Sequence, residues 1–432
     1  MSTFSISGLS SGIDTTSLIS QLMTLAAQPQ SALKTQLSTQ QSVISAYQAL
    51  NTKLTAFQAA ADAVKQASTW ASTKATSTNT AVVAATNSAA TAGSSTTFDV
   101  TQLATAQIST LAVSGPIVST PAAGISIVDA AGVSHNVALA DGSAATVASS
   151  INGAGLGVRA ALVNTDAGQV LQFTATSTGT AGAFSITGLD TTPQTLVAGQ
   201  NAKIAVGNPA AGGYTVSSST NTFSNAIPGV TFSVGAVATG VTVSVSSDSG
   251  AISDKIKTLV AAGNDLLSAL STDTGKDAIL ASNYQVNTIT QSVLGTISHG
   301  DAAGNSFASI GVQLTSTGTM AFDATAFAAA YTADPAKTQA SAATSLASAL
   351  SGLASKTSTT AISPLINSGT SQVANLTKQI SDWDTRLADQ KTALQKKYTA
   401  MEVALQKLQS TSSWLNSTLN SLDNSNNSSN GK

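Results

Sequence analysis

Cysteine is absent from all 432 residues, so the chain can hold neither a disulfide nor a thiolate-ligated metal. Charge is scarce as well. Only 9% of residues are Asp, Glu, Lys or Arg, and the formal net charge is −2. That balance supplies no basic face for phosphates, and no nucleic-acid partner is expected. Aromatic residues make up 4% of the chain and prolines number 8. No apolar run approaches the roughly 18 residues of a membrane span. The N-terminus has neither the basic nor the apolar stretch of a secretory signal, so a protein leaving the cell with this sequence is expected to keep its N-terminus. Ala, Ser, Thr and Gly dominate what is left.

The little charge is unevenly placed. Of 18 basic and 20 acidic residues, ten lie between Lys378 and Lys407, whereas Ala71 to Ser247 holds only eight. The charged stretch coincides with the strongest periodicity in the chain. Val373, Ile380, Leu387, Leu394, Met401, Leu408, Leu415 and Leu422 recur every seven residues. A companion column runs through Leu376 and Trp383, three residues after the first, then through Tyr398, Leu405 and Leu419, four after. This is the a/d pattern of a coiled coil, uninterrupted by proline or glycine. It predicts a helix on the order of 75 Å long, whose seam needs partners elsewhere. The companion column changes side between Gln390 and Tyr398, which divides the helix into two tasks. The first half, with Trp383, is expected to pack into a stalk. The second, from about Ser410 with Trp414, Leu415, Leu419 and Leu422, is expected to wait for a partner. Asp382 and Arg386 read as a solvated i,i+4 pair.

The other end of the chain offers a match. Asp14 reads as an N-cap for Thr16 or Ser17, with Ile13 and Leu18 as a hydrophobic staple. A short helix carrying Leu18, Ile19, Leu22 and Leu25 should end near Gln28, ahead of Pro29. A second helix is predicted to about Trp70, its seam formed by Leu33, Leu37, Ile44, Tyr47, Leu50, Leu54, Phe57 and Val64. Pairing the helices of the two ends as one stalk is the economical arrangement.

From Ala71 the period becomes alternating. Strands are predicted at Phe98–Leu103, Ile125–Asp129, Val158–Val163, Val170–Ala175, Tyr214–Val216, Val230–Val234 and Val241–Val245, with one short helix at Thr146–Asn152. After Asp248 helices return, through Ile252, Ile256, Leu259, Val260, Leu266, Leu267 and Leu270, then through Val286, Ile289, Val293 and Ile297. Ile310–Phe322 reads as a hairpin turning at Thr317-Gly318, and Asp323 as the cap of a helix through Tyr331. The Ala/Ser-rich stretch 336–372 has no clear assignment. The fold class is therefore α+β: a long antiparallel helical or coiled-coil stalk formed by the N- and C-terminal regions, with an inserted β-rich head of one or two small domains. The expected boundaries are 1–40 for an N-terminal leg, 41–70 for a stalk helix and 71–247 for the head, with an inner insertion at about 115–215. Residues 248–409 follow as helical stalk with the hairpin at 310–322, and 410–432 as C-terminal leg. The tail Asn424–Asn430, all Asn and Ser, is expected to be disordered.

Catalytic chemistry finds little support. Gly8-Leu9-Ser10-Ser11-Gly12 matches the G-x-S-x-G nucleophile pattern, but no parallel sheet surrounds it, and it reads as a Gly/Ser segment ahead of a capped helix. His135 and His299, the only histidines, are isolated, and no cysteine or carboxylate cluster joins them. The acids are too scattered for a paired-carboxylate hydrolase, and no Gly-rich loop with lysine cradles phosphate. No catalytic residue, metal or cofactor is expected.

Several stretches resemble the bacterial flagellar filament cap family, hook-associated protein 2. Gly8-Leu9-Ser10-Ser11-Gly12-Ile13-Asp14, then Leu18-Ile19-Ser20-Gln21-Leu22-Met23 and Gln28-Pro29, are similar to its N-terminal signature. Asp99-Val100-Thr101-Gln102-Leu103-Ala104 with Ala106-Gln107 resembles the strand that opens its head. Ile227-Pro228-Gly229-Val230-Thr231, Asp248, Ile310-Gly311-Val312, Gly318 and Asp323 resemble later landmarks. Ile380-Ser381-Asp382-Trp383-Asp384-Thr385-Arg386-Leu387 and Tyr398-Thr399-Ala400-Met401-Glu402 resemble its C-terminal helix. Ser143 to Ala175 is similar to a small repeat inserted in flagellins and hook proteins. Around Asp190 to Gly213 the sequence departs from the family.

The resemblance implies an extracellular protein at the flagellar tip, exported through the flagellar type III channel. It implies a ring-shaped homo-oligomer whose partners are flagellin, the hook–filament junction proteins and an export chaperone at the C-terminal region. It also implies mechanical rather than covalent work. The candidate contacts are the leg and stalk seams: Leu18, Leu22, Leu33, Leu37, Trp383, Leu387, Met401, Leu408, Trp414, Leu415, Leu419 and Leu422. A second class of function stays open, a flagellin-like structural subunit or surface adhesin whose β head binds a host or surface ligand.

Overall fold

The computed structural model describes residues 12, 14–301 and 304–429. They form two compact units. One combines residues up to Lys65 with those from Lys255, and the other is Gln66–Asp254. The second is thus inserted, in sequence, between the helices of the first.

The N-terminal helices start at the expected cap. Asp14 Oδ1 accepts the Ser17 N–H at 3.0 Å, and α1 spans Thr15–Ala26. Ile13, the other half of the staple, lies outside the described residues. Only Ala27 separates α1 from α2, Gln28–Lys65. Pro29 falls in the first turn of α2, where its missing N–H has no helical partner to lose. The helix does not reach Trp70 unbroken: Gln66 turns extended at ψ 129°, and a four-residue α3 follows at Ala67–Trp70.

The inserted unit is antiparallel throughout. It contains β1 (Thr73–Ser77), β2 (Val82–Thr86), β3 (Ser95–Gln102), β4 (Ala106–Ala112), β5 (Ile125–Asp129), β6 (Ser134–Val137), α4 (Ala144–Ala154), β7 (Val158–Thr165) and β8 (Gly168–Thr178). After these come β9 (Phe184–Thr187), β10 (Gln194–Val197), β11 (Ala202–Val206), β12 (Tyr214–Ser218), β13 (Thr222–Ile227), β14 (Val230–Val234) and β15 (Ala238–Ser247). Two cores result. In the outer one the sheet β1-β15-β3-β11-β12 packs on β13-β14-β2. Phe98 and Phe232 stack there with ring centres 4.9 Å apart, and Phe223 adds a third ring at 5.4 Å. In the inner core β10-β4-β8-β7 and β6-β5-β9 enclose α4 through Leu111, Ile127, Val147, Ile151, Leu171, Phe173 and Ile186.

The chain crosses between the cores twice, side by side, where Thr105 bridges Gln200. Asn221 holds one crossing by accepting the Ala104 N–H at 2.7 Å and donating to its carbonyl at 3.2 Å. The inner core therefore occupies Ala106–Val197, displaced towards the N-terminus from the expected 115–215. The reason is β11: Ala202 and Ile204 are fully buried in the outer core, although small residues give that strand little periodicity.

The hairpin β13–β14 explains the Ile227-Pro228-Gly229-Val230 landmark. Gly229, at φ +73°, occupies the left-handed corner of the turn, and its carbonyl accepts the Asn87 N–H at 2.8 Å. A side chain there would meet the backbone of Ala89 and Ala90.

Helices then resume with α5 (Ser249–Thr274) and α6 (Tyr284–Ser298). The hairpin β16 (Val312–Leu314) and β17 (Met320–Phe322) turns with Gly318 at φ +75°. Asp323 caps α7 (Ala324–Ala333) by accepting the Thr325 and Ala326 N–H groups. Next come α8 (Pro335–Gln339), α9 (Ser348–Thr357) and α10 (Ser363–Ser429). The Ala/Ser-rich stretch is helical too, because π-helical segments at Ala340–Ala347 and Ser358–Ile362 join these three into one path. The core of this unit gathers Leu50, Leu54, Phe57, Leu259, Leu266, Val293, Phe327 and Leu350, all fully buried. Gly263 lets α5 close on Phe57 and Met320, and Asn264 pairs with both backbone groups of Met320 at 2.9 and 2.8 Å.

The expected disordered tail is instead helical through Ser429. Extending an existing helix adds one backbone hydrogen bond per residue fixed, without the cost of a new nucleus. Asn430 lies outside the described residues.

Candidate partner interface on the terminal helices

α2 and α10 run antiparallel. Gln30 sits beside Ile380 and Asp384, whereas Gly369 sits beside Gln40 and Ile44. α1 extends the contact along α10. Leu33 and Leu37 on α2 and Val373, Leu376, Ile380, Trp383 and Leu387 on α10 are all half-buried, as expected of a seam closed by two helices alone. One polar residue interrupts it. Gln30 is buried, and its Nε2 donates to the Ile380 carbonyl at 3.3 Å and to Asp384 Oδ1 at 2.5 Å. Nothing in the apolar periodicity marked Gln30. Its neighbour Pro29 was the only signal nearby.

Surface charges on α10 pair differently from the expected Asp382–Arg386 contact. Asp382 lies 3.7 Å from Lys378, and the Arg386 guanidinium stacks 5.6 Å above the Trp383 ring. The ring face three residues back offers Arg386 both contact area and a favourable quadrupole.

Burial along α10 then changes. Met401 and Leu405 remain half-buried, but Leu408 is 67% exposed, Trp414 63%, Leu415 50% and Leu419 56%. Leu422 lies on the same helix, with its side chain outside the described residues. On α1, Ile19 is buried against its neighbours, while Leu18 and Leu22 are 37% and 40% exposed and Leu25 more so. The structure therefore brings Leu33, Leu37, Trp383 and Leu387 together in one seam. Leu408, Trp414, Leu415 and Leu419 stand apart from it as an open stripe. Burying those four against another helix would contribute on the order of 4–6 kcal/mol.

Side chains with possible chemistry are occupied elsewhere. His135 Nε2 lies 3.2 Å from Asp129 Oδ2 in the β5–β6 hairpin. The Asp129 carboxyl is held below its ordinary pKa, chiefly by the Val133 N–H and then by His135. His299 closes α6 through its Nδ1 and the Gly295 carbonyl. Among the described residues no three His, Asp or Glu side chains converge as a metal site. The segment Gly8-Leu9-Ser10-Ser11 lies outside the described residues.

A paired-helix unit with an unclosed apolar stripe and a β-rich insertion is the build of a structural assembly subunit. Comparison with known proteins gives the family. A model of the flagellar hook-associated protein 2 N-terminus matches residues 11–107, and one of the flagellar hook-associated protein 2 C-terminus matches residues 199–410. The chain belongs to the flagellar hook-associated protein 2 family. The interval between the two matches is the inner core.

Among solved structures, the D1-D2-D3 domains of the flagellar cap protein FliD from Escherichia coli are similar over 75% of this chain and 99% of that one, at 25% identity and a TM-score of 0.54. FliD (HAP2) from Pseudomonas aeruginosa PAO1 covers 43% of this chain and 93% of its own, at 24% identity and a TM-score of 0.34. The FliD D2-D3 domains from Serratia marcescens cover 36% and 94%, at 25% identity and a TM-score of 0.31. No curated protein matches the chain.

Proposed function

We propose that this protein caps the tip of the bacterial flagellum as a ring of identical copies, and that it promotes insertion and folding of exported flagellin. Family membership supports the place and the task. The observation that carries the mechanism is the open stripe from Leu408 to Leu419, in phase with a seam that is closed only as far as Leu405. Such a stripe is a helix face awaiting a partner, with flagellin or a hook–filament junction subunit as the occupant in the assembled filament and an export chaperone before it. Copies joined head to tail close into a ring when the rotation permits. Its route out of the cell is the flagellar export channel, in keeping with family membership. The work is conformational, and the seam residues serve it by packing.

Two experiments test this reading. Removing residues 410–432 is expected to leave a folded protein and to abolish filament growth in the strain that carries it. Gold-labelled antibody is expected at filament tips alone. Label along the whole filament would instead make the protein a bulk subunit.

A further inference from the structure

The helical path from Pro335 to Ser429 changes its hydrogen bonding at Ser358–Ile362. Before that segment the Ser358 N–H reaches four residues back to the Ala354 carbonyl; at its end the Ser363 N–H reaches five back, to Ser358. The change comes where two faces would otherwise fall out of step. Upstream, Leu346, Leu350, Ala354 and Thr357 are buried, at steps of four, four and three. Downstream, Ile362, Ile366, Gly369, Val373, Leu376 and Ile380 are buried or half-buried, at alternating steps of four and three. Both sets belong to elements that pack on α2. Between Thr357 and Ile362 the fully buried positions step by five, with Ser358 and Ala361 half-buried in the π turn between them. Ser358 Oγ holds it on α2 by a 2.6 Å hydrogen bond to Asn51 Oδ1.

An α-helix turns about 100° per residue. With one residue more and no π turn, the α10 seam would leave α2 by that angle, and the open stripe would turn with it. A π turn has poorer helical geometry and is uncommon, so its place at this phase boundary has a reason. We propose that the Ser358–Ile362 π turn is the phase adjuster that aims the C-terminal stripe. It absorbs one residue, so that the core face of α9 and the seam of α10 meet α2 on one line. The filament readout below rests on the proposed assembly role, whereas the cross-linking readout does not.

The cysteine-free chain makes the test clean. Gly369 faces Gln40, so Gln40→Cys with Gly369→Cys reports the native phase. Gln40→Cys with Thr370→Cys reports a helix turned by one residue. Deleting Thr360 from the full chain is expected to keep the first cross-link and leave the second absent. The melting temperature should fall no lower than the parent's, and filament growth should continue. Deleting Gln406, an exposed residue just beyond the closed seam, is expected to keep the first cross-link yet stop filament growth, because the stripe now faces about 100° away.

A switch to the Thr370 cross-link when Thr360 is deleted would overturn the proposal, since helix continuity would then set the phase. So would loss of the fold in both the Thr360 and the Thr359 deletions, or loss of filaments with the native cross-link intact. Filaments growing normally with Gln406 deleted would overturn the assembly reading instead and leave the phase adjuster standing.

Discussion

Leu415→Asp separates the two uses of α10. Leu415 is 50% exposed, so folding removes at most half of its surface from water. Full burial of a leucine is worth about 1.5–3 kcal/mol, which limits its contribution within the single chain to roughly 1 kcal/mol. Leu54, on α2, is 1% exposed, and Leu54→Ala creates a core cavity costing about 2–5 kcal/mol. In a unit of this size each kcal/mol shifts the melting temperature by about 2–4 °C. Leu415→Asp should therefore lower it by no more than about 4 °C, and Leu54→Ala by about 4–20 °C.

In an assembled state the order reverses. An aspartate at the centre of a buried stripe must be desolvated without a partner, and a loss of 2–4 kcal/mol there is roughly a 30- to 1000-fold loss of affinity. The assays are thermal unfolding of the purified chain and filament growth in a strain expressing each variant. The expected pattern is near-parent melting without filaments for Leu415→Asp. Melting as low as that of Leu54→Ala, or filaments of normal length, would refute the division of the helix into a closed seam and an open stripe.

Two further predictions concern stability alone. Gly229→Val puts a branched side chain at φ +73° against the Ala89 and Ala90 backbone, and should cost more than about 2 kcal/mol, read as a lowered urea midpoint. The Asp62 carboxyl is held below its ordinary pKa, first by the Ser351 hydroxyl and then by Lys65. A depressed folded-state pKa adds stability that is present above the unfolded value and lost as pH falls through the folded one. Unfolding followed from neutral pH to below about 4 should therefore show a shallower acid loss in Asp62→Asn than in the parent.

The two ends and the class of the middle were legible in the residues alone. A strict seven-residue column can only be a helix seam, and alternation bounded by turn residues can only be strand. The caps at Asp14 and Asp323 and the turn at Gly318 were legible because each is a local contest between a side chain and its own backbone. The candidate interface was legible as a list of apolar positions, and the companion column changing side between Gln390 and Tyr398 marked a division of the helix near Ser410.

How far along α10 the seam is covered was decided by tertiary structure, since periodicity says which face is apolar and nothing about what covers it. The same limit hid β11, whose burial comes from its place between β3 and β12, and left the inner core misplaced along the chain. It hid Gln30, whose burial exists only because Asp384 and the Ile380 carbonyl stand opposite. It also hid the π turn, because a step of five between buried residues becomes visible only when α2 fixes which residues are buried. Local patterns are set by neighbours in sequence, whereas burial, phase and pairing depend on residues hundreds of positions away.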